Sequence, residues 1–392
     1  MPRDMFGGRL ARLAVIACAL ALAGCAGQQT RDLLAQKVVA APASAIAGRH
    51  EIFVATTRHK SDKAAEVFDG RRSPDTSYAK VDITVPAIHK TGAIERRKAR
   101  QPADPAKFFV AEAVTAYGGE DAFGAALRKD IASHEGRALV FIHGYNTAFD
   151  GAVYRMTQIV HDAGYKGTPV LFTWASGGST VDYVYDSNSA SAARDALEAT
   201  LRLVAKSGAK RVDIIAHSMG NWVTVEALRQ LAISGDRTLG GKLGDVVLAS
   251  PDIDVDVFKA QMARYGVPEK PFILFLSSDD RALQISSLIA GRRPRLGDYS
   301  NAEEIAKLGV VAVDLSKVQT EDRLNHTKFA ENPVLIKILG ERLAQNGRLA
   351  TNEEEANERV ASLTRGITGT LTSAAEVVIT TPINVLRIAV GQ

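Results

Sequence analysis

The sequence predicts an α/β protein: a mostly parallel central sheet of about eight strands with helices on both faces. Three observations carry this. Short, β-rich apolar runs recur from about residue 50 to 346 and alternate with stretches of helical periodicity. The chain has 392 residues, 46% of them apolar and 23% charged, which is enough for one large domain with extensions. Finally, one serine stands where such a run passes straight into a helical stretch. Other classes are excluded by composition. The 32 Gly and 13 Pro are ordinary for a globular protein. A net charge of +4 on 48 basic and 44 acidic residues is too small for a nucleic-acid binder. The two cysteines, Cys18 and Cys25, both lie near the N-terminus, so the body of the protein has neither a disulfide framework nor a cysteine-built zinc site.

The chain opens with Arg3, Arg9 and Arg12, followed by an unbroken apolar run from Leu13 to Ala23. A bilayer needs about 20 apolar residues, so this run suits a signal-peptide core better than a membrane span. Leu22-Ala23-Gly24-Cys25 resembles the lipobox of bacterial lipoproteins. That resemblance implies removal of residues 1–24, lipidation of Cys25 and, with Ala rather than Asp at position 26, a place in the outer membrane facing the periplasm. An ordinary cleaved signal, or a stub anchor, with Cys25 incidental is the alternative. Residues 25–49 are small and polar and read as a tether.

In the body, Glu51–Arg58 and Tyr78–Pro86 read as early strands around a charged loop, and the cation-rich stretch Lys90–Lys107 as an exposed connection. Buried-type strands follow at Ala138–Ile142, Pro169–Trp174, Val212–Ala216, Asp245–Ala249, Phe272–Leu276 and Val310–Leu315. Helices are expected over about Ala148–Ala163, Ser189–Ala205, Asn221–Ile233, Val255–Arg264, Ala282–Ile289 and Lys328–Gln345. Residues 50–346 thus form the main domain and 347–392 a tail. The tail is charged over Thr351–Arg359 and then mostly apolar over Leu371–Val390, where a surface-lying or self-docked helix is expected ahead of a spanning one.

In such sheets, ligands gather at the C-terminal ends of the strands. Arg211-Val-Asp-Ile-Ile-Ala-His-Ser-Met-Gly220 places Ser218 at a strand–turn–helix corner, with small residues, Ala216 and Gly220, two positions to either side. A serine hydroxyl becomes a nucleophile only when lifted toward a base and set beside oxyanion donors. The string alone is weak, and a buried serine at an ordinary turn is the bland alternative. An oxyanion hole needs two converging N–H groups. Met219, at the start of the new helix, supplies one, and the loop after Ala138–Ile142, where Gly144 allows close approach, offers the N–H of Tyr145 as the other. His143 is expected to brace that loop. With the order Ser, acid, His, the base must follow Ser218; of the eight histidines only His326 does. The acid is expected at Asp280, with Asp279 beside it and Asp252 or Asp254 on the preceding loop as alternatives; each could instead cap a helix.

These residues resemble the α/β-hydrolase superfamily and, within it, a bacterial esterase/lipase-like branch of unknown function. The matching pieces are Phe53–Arg58, Phe141–Asn146, Phe172–Ser176, Ile215–Gly220, Ser278–Leu283 and Asn325-His326. Two positions depart from the family's pattern. Ala216 replaces the first glycine of the commonest elbow, and Trp174-Ala175-Ser176 stands where Trp-Pro-Ser is frequent. Tyr183, Tyr185 and Asp186 are expected either to line the pocket or to pack at a helix start. The resemblance implies a Ser–His–Asp hydrolase of carboxylic esters needing no metal or cofactor, and it implies no particular substrate. The expected partners are a small-molecule or lipid ester and, through the N-terminal lipid, the membrane. An acyltransferase on the same triad, a peroxide-dependent enzyme on it, and a non-catalytic binding module on the same fold are the alternatives.

Overall fold

A computed structural model of the chain describes residues 31–35, 37–98, 101–344, 375–382 and 385–390. The signal-like segment with Cys25 lies outside them, as does the charged stretch Thr351–Arg359. The strands are β1 (Ile46–Lys60), β2 (Phe68–Pro86), β3 (Val110–Tyr117), β4 (Arg137–Ile142), β5 (Thr168–Thr173), β6 (Arg211–His217), β7 (Leu243–Ala249), β8 (Phe272–Leu276), β9 (Val310–Asp314), β10 (Ala375–Thr380) and β11 (Val385–Val390). They form one eleven-stranded sheet in the order β11-β10-β9-β8-β7-β6-β4-β5-β1-β2-β3. From β1 to β9 in that order the neighbours are parallel; β2 and β3 at one edge, and β10 and β11 at the other, are antiparallel.

The central strands read as unbroken apolar runs because both of their faces are covered. Along β4, Val140 and Ile142 join the core layer that packs the helices Glu120–Ser133, Arg194–Lys206, Gly220–Ile233 and Val255–Tyr265. Leu139 and Phe141 point the other way, into the layer under helices Phe149–Asp162 and Pro333–Ala344. Alternate residues of a strand face opposite sides, so one sequence run feeds two cores.

Four expectations need correction. The sheet has eleven strands, not about eight. One extra strand is β3, hidden from sequence reading because Val110–Tyr117 is half small residues and largely solvated on one face. The other two come from the tail: Ala375–Thr380 and Val385–Val390 form a hairpin, not a helix. Its β-branched residues Val377, Val378, Ile379 and Thr380 favour a strand, Pro382 sits in the connecting turn, and β10 satisfies the open edge of β9 through Val378↔Asp314, Ile379↔Val313 and Thr380↔Ala312. Secondly, the helix expected over Ser189–Ala205 is two, Tyr183–Ala192 and Arg194–Lys206. Thirdly, Pro333 divides the last helix into Lys328–Glu331 and Pro333–Ala344, as a residue without an N–H must. Lastly, the tether is not free along its length. Leu33 is buried, the Leu34 N–H donates to Ala65 O, and β1 begins at Ile46.

Candidate active site

At the end of β6 the backbone turns into helix Gly220–Ile233 through Ser218, whose φ is +53°. A left-handed serine costs on the order of 1–3 kcal/mol and persists only where its surroundings fix it. Here they do. The Ser218 N–H donates to Ala249 O, and the Ser218 carbonyl accepts from the N–H of Asp252 and from the backbone and side-chain N–H of Asn221. Asn221 Nδ2 also bonds Ala249 O at 2.9 Å, stapling β7 to the turn. Close packing imposes the glycines: a Cβ on Gly220 would lie 2.3 Å from His143 O, and one on Gly144 2.6 Å from Ser218 Cβ.

His326 and Asp280 arrive from 46 residues apart with His326 Nδ1 2.7 Å from Asp280 Oδ2. Asp280 is fully buried, and its other oxygen accepts the Leu283 N–H, capping helix Arg281–Ile289. With Nδ1–H donating to the carboxylate, the Nε2 of His326 keeps its lone pair. Burial pulls the imidazolium's pKa down, but the charge and hydrogen bond of Asp280 outweigh it and hold it above the ordinary histidine value. Asp322 fixes the backbone here by accepting the N–H groups of Leu324, His326 and Thr327. His217, half-buried and held in the neutral form by desolvation, donates its Nε2–H to the His326 carbonyl, the two rings 4.6 Å apart.

The neighbouring carboxylates are engaged elsewhere. Asp279 binds Lys328 Nζ at 2.7 Å and Asn325 Nδ2 at 3.0 Å, tying the His326 loop to the end of β8. Asp252 accepts from Ser286 and Tyr183 and pairs with Arg295. Asp254 caps helix Val255–Tyr265.

The loop after β4 is braced from below. His143 donates from Nδ1 to Gly144 O, meets Thr173 Oγ1 through Nε2 at 2.8 Å and stacks on Trp174 at 5.0 Å. Burial first, and Arg58 second, lower its pKa to about 3, so it stays a neutral brace. Trp174 Nε1–H bonds the His143 carbonyl. Arg58, wholly buried, donates to Thr173 Oγ1, Ser176 O and Thr147 O, cross-linking β1, β5 and this loop. Asp186 accepts from the N–H groups of Asn146 and Gly177 and from the Ser176 hydroxyl. Thr147 N–H goes to Ser176 Oγ. Among the described residues, no acceptor takes the N–H groups of Gly144, Tyr145 or Met219, which flank Ser218 in sequence or across the loop. Of the three residues expected at the rim or at a helix start, Tyr183 begins a helix and bonds Asp252, Tyr185 donates to Gly70 O, and Asp186 supports the loop.

The residues expected at the site, Ser218, Asp280, His326, Tyr145 and Met219, all follow strands at the same end of the sheet, and His326 and Asp280 are in contact. Sequence reading assigns no role to Arg58, Asn221, Asp322 or Lys328. Arg58 ends the Phe53–Arg58 piece, its one visible signal; Asn221 and Lys328 reach Ala249 and Asp279 across the fold, and the role of Asp322 depends on how its own loop turns back on it.

No curated protein matches the sequence. Among solved structures, the chain is similar to an esterase from Rhizomucor miehei, at 15% identity and a TM-score of 0.37, covering 76% of this chain and 84% of that one. It is also similar to a Pyrobaculum calidifontis esterase, at 9% identity and a TM-score of 0.35, covering 76% and 85%. The sequence pattern of the family described as alpha/beta hydrolase of unknown function (DUF900) matches residues 119–342, more than half of the chain, and the protein belongs to that family.

Proposed function

We propose that the protein is a serine hydrolase of carboxylic esters. Ser218 Oγ attacks the acyl carbonyl while His326 Nε2 takes its proton, and Asp280 holds the resulting imidazolium. The N–H groups of Tyr145 and Met219 receive the oxyanion. His326 then protonates the departing alkoxide, and the acyl group remains on Ser218. In the second half, His326 deprotonates water, which attacks the acyl-enzyme; the ester bond to Ser218 breaks, His326 returns the proton to Ser218 Oγ, and the acid leaves. The observation that carries this reading is the 2.7 Å His326–Asp280 contact, tied to the elbow by the bond from His217 to the His326 carbonyl, with the next residue, Ser218, held at φ +53°. The reading needs no metal ion in either half-reaction.

The envelope location rests on sequence alone: Leu22–Cys25 follows an apolar run as a lipidation site would. Among the described residues, no helix is long and apolar enough to cross a membrane. We propose a lipid anchor at Cys25, with a small-molecule or lipid ester as substrate.

Ser218→Ala tests the chemistry. Turnover of p-nitrophenyl esters by the purified variant is expected to fall by several orders of magnitude, and a fluorophosphonate probe to label wild type but not the variant. Equal turnover by both proteins refutes the assignment. A wild type that neither turns over esters nor takes the probe marks a binding module instead.

A further inference from the structure

At the opposite end of the sheet from Ser218, a second cluster of ionisable groups serves no step of the proposed reaction. His50 lies on β1 ahead of the residues that pair with β5, Phe53–Thr56, and so at the N-terminal ends of the parallel strands. His161 and Asp162 end helix Phe149–Asp162, which starts near the Ser218 end and runs back. His89 and Glu95 come from the connection after β2. Three of the chain's eight histidines therefore meet here.

We propose that His89, His161 and Asp162 bind one divalent transition-metal ion, zinc being the best fit, at a site separate from the proposed triad. One ligand atom from each of the three lies within 4.8 Å of the others, so small side-chain adjustments bring all three onto a single ion. Two imidazoles and a carboxylate are the donor set that zinc takes with a fourth position left to water.

His89 shows why a cation belongs there. Its Nδ1 is 2.7 Å from Glu95 Oε2 and its Nε2 2.8 Å from Asp162 Oδ1, so both ring nitrogens face carboxylate oxygens. A neutral imidazole has one N–H, which leaves a lone pair pointed at an oxygen at hydrogen-bond distance. A second proton relieves that clash at the distance observed, and a metal ion relieves it once the two atoms part by about half an ångström to reach a tetrahedral ion's spacing. The His89 and Asp162 side chains are only 5% and 2% exposed, so solvent does little to relieve that repulsion.

His161 favours the metal over the proton. An imidazolium at His89 is already satisfied by its two carboxylates and has no use for a third basic nitrogen close by; a metal ion does. The surrounding groups also have the form of an outer shell. Glu95 would hold the far nitrogen of His89. Asp162 Oδ2 is fixed by the Gly92 N–H and Gln158 Nε2. His50 Nε2, 3.1 Å from His161 Nδ1, orients that ring and leaves its other nitrogen for the ion. Gly48 leaves room for it, since a Cβ there would lie 2.8 Å from His161 Nδ1.

The test uses the untagged full chain, stripped with a chelator and titrated calorimetrically with zinc chloride. One ion per chain at micromolar affinity or tighter is expected, with a higher melting temperature. Cobalt(II) in its place should give the visible absorption of a four-coordinate nitrogen–oxygen site. His161→Gln and Asp162→Asn should each weaken uptake more than tenfold, and Glu95→Gln by about 10–100-fold. Ester turnover should be the same with zinc or with chelator, which separates this proposal from the fate of the triad. Folded wild type that takes up no stoichiometric zinc overturns it and leaves His89 an imidazolium between two carboxylates. Uptake that neither His161→Gln nor Asp162→Asn weakens overturns it as well.

Discussion

Asp280 serves two elements with one carboxylate: Oδ1 caps helix Arg281–Ile289 and Oδ2 meets His326. An amide in its place can still cap through its oxygen, but it no longer stabilises an imidazolium. Asp280→Asn is therefore expected to keep the fold and lose about 10⁴ in kcat, read in ester assays. The pH profile follows with a definite sign. His326 must be neutral to act as base, and its pKa is raised, so kcat/KM in wild type should fall as pH drops through a value above the ordinary 6.5. In Asp280→Asn the charge that raises it is gone and burial prevails, so the acidic limb of the residual activity should move to lower pH; a limb that stays in place removes Asp280 from the reading. The sequence could not separate Asp280 from Asp279, since both end the same strand. The distinction comes from Lys328 and Asn325, which engage Asp279, and those partners are brought near only by tertiary folding. Arg58 was obscure for the same reason: its acceptors are spread over Thr147, Thr173 and Ser176.

At the scale of elements, the parallel strands were the legible part, because a strand covered on both faces leaves an apolar run that little else produces. So was the elbow, where Gly220 is set by a contact rather than by turn preference: its φ is not left-handed, but a methyl would meet His143 O at 2.3 Å. Gly220→Ala must push helix Gly220–Ile233 away from the β4 loop. It is expected to cost on the order of 1–3 kcal/mol in denaturant unfolding and to lower turnover, since the same shift parts the N–H groups of Tyr145 and Met219. The tail was illegible because β-branched apolar residues around a proline suit several structures, and only the open edge of β9 selects a hairpin. Removing residues 345–392 bares that edge. The truncated chain should retain ester turnover and self-associate in a concentration-dependent way by light scattering; one that remains monomeric at high concentration would mean the hairpin is not needed to block edge pairing.

For the whole molecule, the decisive length is the one between the expected lipid and the first docked residue. Leu33 is buried against the sheet, and Arg31 Nη2 bonds Gly178 O, just beyond the Ser176 loop that supports the candidate site. Eight residue steps lead from Cys25 to Leu33 and span at most about 26–29 Å when extended. A lipid on Cys25 would thus hold the domain close to the bilayer and attach it on the side where the C-terminal strand ends open, a placement suited to esters presented by the membrane. Cys25→Ser removes the proposed acylation site without touching the described domain. In cells it should lose labelled-palmitate incorporation and move from the membrane to the soluble fraction, while the purified protein keeps its turnover of short soluble esters. Activity on esters embedded in vesicles should fall against wild type reconstituted in the same vesicles, because the anchor supplies local concentration rather than chemistry. If Cys25→Ser still fractionates with membranes and wild type takes up no palmitate, the lipid anchor is wrong, and the docking of Leu33 and Arg31 is simply how this chain closes one edge of its fold.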